Sequence, residues 1–346
     1  MRAPLRIDLR SDTITKPNAA MLQAMMQAEV GDDVFQDDPS IHRLEEYCAQ
    51  LFGMESALFC TSGTLTNQLA IRVHCAPGSE VICDALSHIF LYEGGGVAVN
   101  ALSSIKVLQG NYGRISAEQV IESINNPNDI HQPITRLVSL ENTMNKGGGS
   151  LYDFAEIRKI KNVCKQQDLK LHLDGARLFN ALVETKETPK DYGEVFDSIS
   201  ICLSKGLGCP VGSALIGSSD TIKKARRFRK LMGGGWRQGG YLAAAGLFAL
   251  ENNIQRLQHD HQRAKAIGQI LSTKSFAKSI YPIVTNIVIF ELTENISSAQ
   301  FVESMAQQNV HCIAFGKQHV RFVTHLDFTD EHLTKFEEVV KNLVIA

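Results

Sequence analysis

The chain has 346 residues, 44% of them hydrophobic, and a net charge of −2. That length accommodates two core-bearing domains, and the near balance of charge offers no basic surplus for nucleic acid. The eight cysteines (Cys48, Cys60, Cys75, Cys83, Cys164, Cys202, Cys209 and Cys312) form no CxxC pair, and no apolar stretch approaches the roughly 18 residues of a membrane span. The N-terminus interleaves Arg2, Arg6, Asp8, Arg10 and Asp12 and lacks the apolar core of a signal peptide, so the expectation is a reduced, cytoplasmic protein in which the Asn295 sequon is accidental.

In chain order, the first chemical signal is Thr61, Ser62, Gly63 and Thr64, followed by a predicted helix in which Leu65, Leu69, Ala70 and Val73 recur at helical spacing. Hydroxyl residues at a helix start are commonly caps, and the same start can receive a phosphate, because its backbone N–H groups are unpaired and its dipole is positive. Short apolar runs at Val81 to Cys83 and Leu137 to Leu140 read as strands. From Asp153 to Gln167, Phe154, Ile157, Ile160 and Cys164 mark a helix with one apolar face. Leu169, Leu171 and Leu173 then alternate toward Asp174, a strand-end carboxylate that either caps a turn or faces a cation in a cleft. Runs at Ile199 to Leu203 and Ala214 to Ile216 are further strands, and Lys205 lies between them in the stretch SICLSKGLG. A long helical pattern from Tyr241 to Leu271, a strand at Ile287 to Leu292, a helix near Ala299 to Asn309, a strand at Val320 to Thr324 and a last helix after Thr329 complete the chain. Such alternation defines an α/β protein. We divide it into a large domain, residues 1–250 with the N-terminal segment included, and a smaller C-terminal α/β domain, residues 251–346. The glycine runs 147–149 and 233–235 are loops that approach a ligand or neighbour, or ordinary turns.

Singly, Lys205 reads as a solvated cation. Together, an imine-forming lysine, an upstream strand-end aspartate and a hydroxyl-rich helix start are the parts that hold pyridoxal 5′-phosphate. The lysine links to the aldehyde, the aspartate keeps the ring nitrogen protonated, and the helix start holds the phosphate.

At these residues the chain resembles the low-specificity L-threonine aldolases, pyridoxal phosphate enzymes of the aspartate aminotransferase fold (fold type I). The resemblance runs through DLRSDT (from Asp8), VGDDVFQDD (from Val30), HIFLYEGGG (from His88), LENTMN (from Leu140), HLDGAR (from His172), ICLSKGLG (from Ile201), GGGWRQ (from Gly233) and VRFVTHL (from Val320). It implies a large domain with a mixed, mostly parallel sheet and retro-aldol cleavage of L-threonine or L-allo-threonine to glycine and acetaldehyde. The cofactor would be held by Lys205, Asp174, Ser62, Gly63, Thr64, His88 and Ser204, with Arg237 reaching the phosphate from a neighbouring subunit. Arg177, Arg321 and Ser11 would bind the substrate carboxylate, for which planar arginine forks suit better than lysine. A base must take the β-hydroxyl proton, and histidine is suited to it. His88 matches a histidine that stacks on the cofactor ring, and His131 one that contacts the substrate hydroxyl. No metal is expected, and His259 and His261, at i,i+2 on a helix, diverge. The implied assembly is a dimer of dimers with shared active sites. One departure stands out: Met144 occupies the usual histidine position of the LENTMN block, which weakens inferences about the aldehyde side of the substrate. A β-eliminating lyase or aminotransferase would use the same lysine and aspartate, and a non-catalytic binding protein of this fold is the remaining alternative.

Overall fold

A computed structural model describes residues 5–345. Its strands are β1 (Ile7–Asp8), β2 (Ser56–Cys60), β3 (Ser79–Asp84), β4 (Ser104–Leu108), β5 (Ile134–Glu141), β6 (Lys170–Gly175), β7 (Ser198–Cys202), β8 (Ser213–Gly217), β9 (Ala277–Ile280), β10 (Ile287–Leu292), β11 (Val310–His311), β12 (Ile313–Ala314) and β13 (His319–Val323). Seven of them form the main sheet in the order β2-β8-β7-β6-β5-β3-β4. Pairs from β7 through β4 are parallel, and β8 runs antiparallel to both of its neighbours. Helices cover both faces of a parallel sheet, so its central strands are apolar on both sides; β3, β7 and β8 are buried along their whole length.

The helices α1 (Ala19–Met26), α2 (Pro39–Phe52) and α3 (Gly63–His74) start at side-chain caps from Asn18, Asp38 and Ser62, which accept backbone N–H groups of the first turn. In α2 proline follows the cap and Gly53, at φ 63°, ends the helix in the left-handed region that glycine adopts without penalty. The predicted helix at Asp153 to Gln167 is Phe154–Gln166, with Ile157, Ile160 and Cys164 buried.

The two largest hydrophobic cores divide the molecule. The larger extends from Met21 to Leu257, and the smaller joins Ile7 and Leu9 to Ala264, Phe290, Phe301, Phe322 and Phe336. The smaller core underlies a four-stranded antiparallel sheet, β12-β13-β10-β9. Because β1 pairs in parallel with β11, and Leu9 bonds to both His311 and Val323, Ile7 to Leu9, grouped from sequence with the large domain, pack into the C-terminal core. The long helical pattern from Tyr241 to Leu271 is likewise two helices, Gly240–Asn252 and Leu257–Ser272. The break falls where Asn253 Nδ2 donates 2.7 Å to the carbonyl of Leu207, just after Lys205, so a tertiary contact interrupts a continuous apolar period. His259 lies exposed beyond that break, whereas His261 is buried between Glu184 and Asn180.

Candidate active site

The carboxyl ends of β5, β6 and β7 carry the chemistry, as expected for ligand sites of open α/β sheets. Glu141 ends β5, Asp174 lies opposite it on β6, Ser200 follows in register on β7, and Lys205 comes three residues after β7 ends. The start of α3 is laid across these ends by two hydrogen bonds: Thr66 Oγ1 with Ser200 Oγ, and Asn67 Nδ2 donating 2.8 Å to Asp174 Oδ2. Gly63 permits this approach, since a Cβ there would stand 2.6 Å from Cys202 Sγ.

The result is a cleft of about 300 Å³ lined by the expected residues Ser11, Ser62, Gly63, Thr64, His88, Asp174, Arg177, Ser204, Lys205 and Arg321. They come from both domains, with Arg321 projecting from β13 of the small sheet. Larger pockets elsewhere on the surface hold no such convergence of groups. Two expected residues are not among the lining. His131 is exposed on the loop before β5 and pairs with Asp129 at 2.9 Å, and Arg237 is exposed and pairs with Asp32 at 2.8 Å. Met144 also falls outside. Its side chain is fully buried against Gly113 and is not among the cleft-lining residues.

Charge in the cleft is arranged in two groups. On the ring side, Asp174 is buried and accepts from Asn67 and from the Ala176 N–H. Glu93 accepts from Asn67 and Gln68 and pairs with His88 Nδ1, and as the acceptor in that pair it places the His88 proton on Nδ1. Burial opposes charge on His88, but its bond to Glu93 and the nearby carboxylates of Asp174, Glu93 and Glu141 raise its pKa above the ordinary histidine value. Burial, and then the charge of Asp174, push Glu141 up to about 7; it accepts the N–H groups of His88 at 2.7 Å and Asn145 at 2.9 Å.

On the opposite side lie two buried arginines and one carboxylate. Arg177 is held by Asp12, whereas Arg321 donates to Asn145 Oδ1 at 2.9 Å and to the Arg10 carbonyl at 3.1 Å, and its Nε is buried without a partner. Burial and then the charge of Arg177 lower the Arg321 pKa to about 10. A buried cation with an orphan N–H beside a second cation is a site short of one anion.

These features fit pyridoxal phosphate and an amino acid. Asp174, with each oxygen anchored by one hydrogen bond and further lone pairs to spare, suits a protonated ring nitrogen; the first N–H groups of α3 suit the phosphate; Lys205 supplies the amine; and the arginine pair suits a carboxylate. His88, Glu93 and Asp174 also bring ligand-type atoms within 4.8 Å of one another.

Sequence reasoning did not assign roles to Asn67, Glu93, Glu141, Asn145 or Asp12. A signal existed for two of them. Asn67 falls one helical turn after Gly63, on the face of α3 that meets the cleft, and Glu141 ends its strand as Asp174 ends the neighbouring one.

The sequence pattern of the beta-eliminating lyase family matches residues 8–295. The low-specificity L-threonine aldolase of Escherichia coli K12 is 42% identical over 95% of this chain and 96% of its own, and low-specificity L-threonine aldolase 1 of Arabidopsis thaliana is 38% identical over 95% and 94%. A solved Leishmania major threonine aldolase superposes with a TM-score of 0.83 at 22% identity, covering 97% of this chain and 98% of that one, which shows the shared fold. The fold and cleft thus define a fold type I lyase. The chain belongs to the beta-eliminating lyase family, with low-specificity L-threonine aldolases among its relatives.

Proposed function

We propose that this protein is a pyridoxal phosphate-dependent carbon–carbon lyase that cleaves L-threonine, L-allo-threonine or both to glycine and acetaldehyde. One observation carries the reading: a single cleft joins Lys205, Asp174, His88 and the α3 start to a pair of arginines short of one anion. When bound, the cofactor supplies the electron sink that allows a bond at the amino acid Cα to break.

The chain's own groups divide the remaining work. Lys205 Nζ would be the amine that holds the cofactor. Asp174 would accept from the ring nitrogen. Backbone N–H groups of Gly63 and Thr64, with the hydroxyls of Ser62 and Ser204, would bind the phosphate. Arg177 and Arg321, assisted by Ser11, would grip the substrate carboxylate and fix the orientation of the amino acid. A β-hydroxy amino acid so held, with its hydroxyl proton accepted by a base, would be placed for release of an aldehyde. His88 would stack on the ring. Its Nδ1–H is committed to Glu93, which leaves Nε2 as the ring atom able to accept a proton from the cleft.

The reading extends to a homotetramer, a dimer of dimers, in which Arg237 and His131 serve a neighbouring subunit's cleft. The exposure of Met26 at 80%, Phe35 at 73% and Leu231 at 77% supports a covered surface. A cytoplasmic location is supported by eight cysteines that are all free and buried.

The test is an absorbance spectrum of the purified protein before and after L-threonine, L-allo-threonine or glycine, with acetaldehyde followed in the same cuvette. A visible band that shifts with glycine, with acetaldehyde from either isomer, is expected. A band without aldehyde, accompanied by a keto acid and ammonia, would transfer the site to β-elimination, which the family's name also covers.

A further inference from the structure

Behind Asp174 lies a hydrogen-bonded chain that the proposed chemistry does not use. It runs from His74 Nε2 to Ser198 Oγ at 3.0 Å, from Ser198 Oγ to His172 Nδ1 at 2.9 Å, and from His172 Nε2 to Asn67 Oδ1 at 3.1 Å. Asn67 Nδ2 then reaches Glu93 Oε1 and Asp174 Oδ2, both at 2.8 Å. All of these groups except His74 are buried, and His74 borders a surface pocket.

The two carboxylates decide the direction at Asn67, and the Ser198 carbonyl also lies 3.2 Å from His172 Nδ1. Two carboxylates face one end of the Asn67 amide, and only its NH₂ can donate to both; the reverse orientation would set a carbonyl oxygen against two acceptors. Oδ1 therefore faces His172, so His172 must carry its proton on Nε2. With the proton on Nε2, the shorter contact at Nδ1 is a hydrogen bond accepted from the Ser198 hydroxyl, and Ser198 Oγ in turn accepts from His74 Nε2–H. Burial pushes both histidines down to about 4, which keeps them neutral at pH 7.

We infer that Asn67, oriented by His172, is a positioning residue that ties the ring-nitrogen carboxylate Asp174 to the Glu93–His88 pair, so that the two contacts to the cofactor ring are set by one amide. This rests on the cofactor reading proposed above. Without the His172 donor, the amide loses its fixed orientation, and Asp174 and Glu93 lose the donor they share.

The experiment uses the holoenzyme and three variants, His172→Leu, His172→Gln and Asn67→Ala, with the His172→Leu/Asn67→Ala double. It measures the pyridoxal phosphate dissociation constant by dialysis and the pH midpoint of the bound cofactor's visible band. His172→Leu should weaken cofactor binding by about tenfold or more and displace the midpoint. His172→Gln, whose amide can replace the Nε2–H, should recover most of both. Asn67→Ala should match His172→Leu, with the double no worse than either. If His172→Leu does not fold, the Asn67→Ala and His172→Gln results decide. Wild-type dissociation constant and midpoint in either disruptive variant would overturn the inference, whatever happens to turnover or thermal stability. A wild-type protein with no visible band in excess cofactor would overturn the cofactor reading, and the inference with it.

Discussion

Asp12 and Arg177, 165 positions apart in the chain, form a buried two-point pair in which Arg177 Nε and Nη2 donate to the Asp12 carboxylate at 2.8 and 2.7 Å. A third bond to the same carboxylate comes from Asn286 Nδ2 at 3.3 Å. The pair leaves Arg177 charged, fixed in rotation, and able to present Nη1 to the cleft. Burial works against the Asp12 charge, but Arg177 holds its carboxyl well below the usual carboxylate range. Replacing Asp12 by Ala leaves two buried cations with no anion between them. Chemical denaturation should show a loss of about 3–5 kcal/mol, and the substrate KM should rise more than kcat falls. The contribution of Asp12 is present above the unfolded carboxyl pKa of 3.8 and is lost as pH falls through the lower folded value, so the wild type should lose this margin only in strong acid.

Lys205→Ala removes the only lysine among the cleft residues. The visible band of the bound cofactor should disappear, and aldehyde release should fall at least about a thousandfold. Normal cleavage by this variant would remove Lys205 from its assigned role.

Gly63→Ala tests the phosphate end. The new methyl meets Cys202 Sγ at 2.6 Å and forces the first turn of α3 away from β7. Equilibrium dialysis should show cofactor affinity reduced by about tenfold, with a stability loss of about 1–3 kcal/mol. Removing the opposing atoms with Cys202→Ala in the same chain should restore part of both.

The pH profile of kcat/KM tests proton transfer at His88. A neutral Nε2 is needed to accept the hydroxyl proton, and the His88 pKa is raised, so activity should climb as pH passes an inflection above the ordinary histidine value of 6.5. Glu93→Gln removes a carboxylate that raises this pKa and should move the inflection to lower pH. A profile unchanged in His88→Asn would confine His88 to stacking on the ring.

Much of the large domain was legible because its signals are local. The apolar runs at Val81 to Cys83, Leu137 to Leu140 and Ile199 to Leu203 are continuous because parallel strands are buried on both faces. The edge strand β4 was not recognised; none of its residues is fully buried, and Ser104 and Val107 are exposed, so no continuous apolar run marks it. The helical period through Tyr241 to Leu271 was real on both sides of the break, yet nothing in that period announces that Asn253 is required by the Leu207 carbonyl.

By itself, the sequence determined the α/β class and the identity of the groups that do chemistry: Lys205 beyond a strand, Asp174 at a strand end, and Ser62 to Thr64 at a helix start. Each is written within about ten residues, where backbone propensity and side-chain periodicity act. Tertiary structure alone decided that Ile7 and Leu9 complete the C-terminal core, that Arg177 is locked by Asp12, that Arg321 enters the cleft from the small sheet, and that Asn67 joins two carboxylates. It also left His131 and Arg237 outside this chain's own cleft. The physical reason is common to all of these: a buried ion or amide takes its partner from whichever element packing brings within about 3 Å, and that distance is unrelated to separation along the chain.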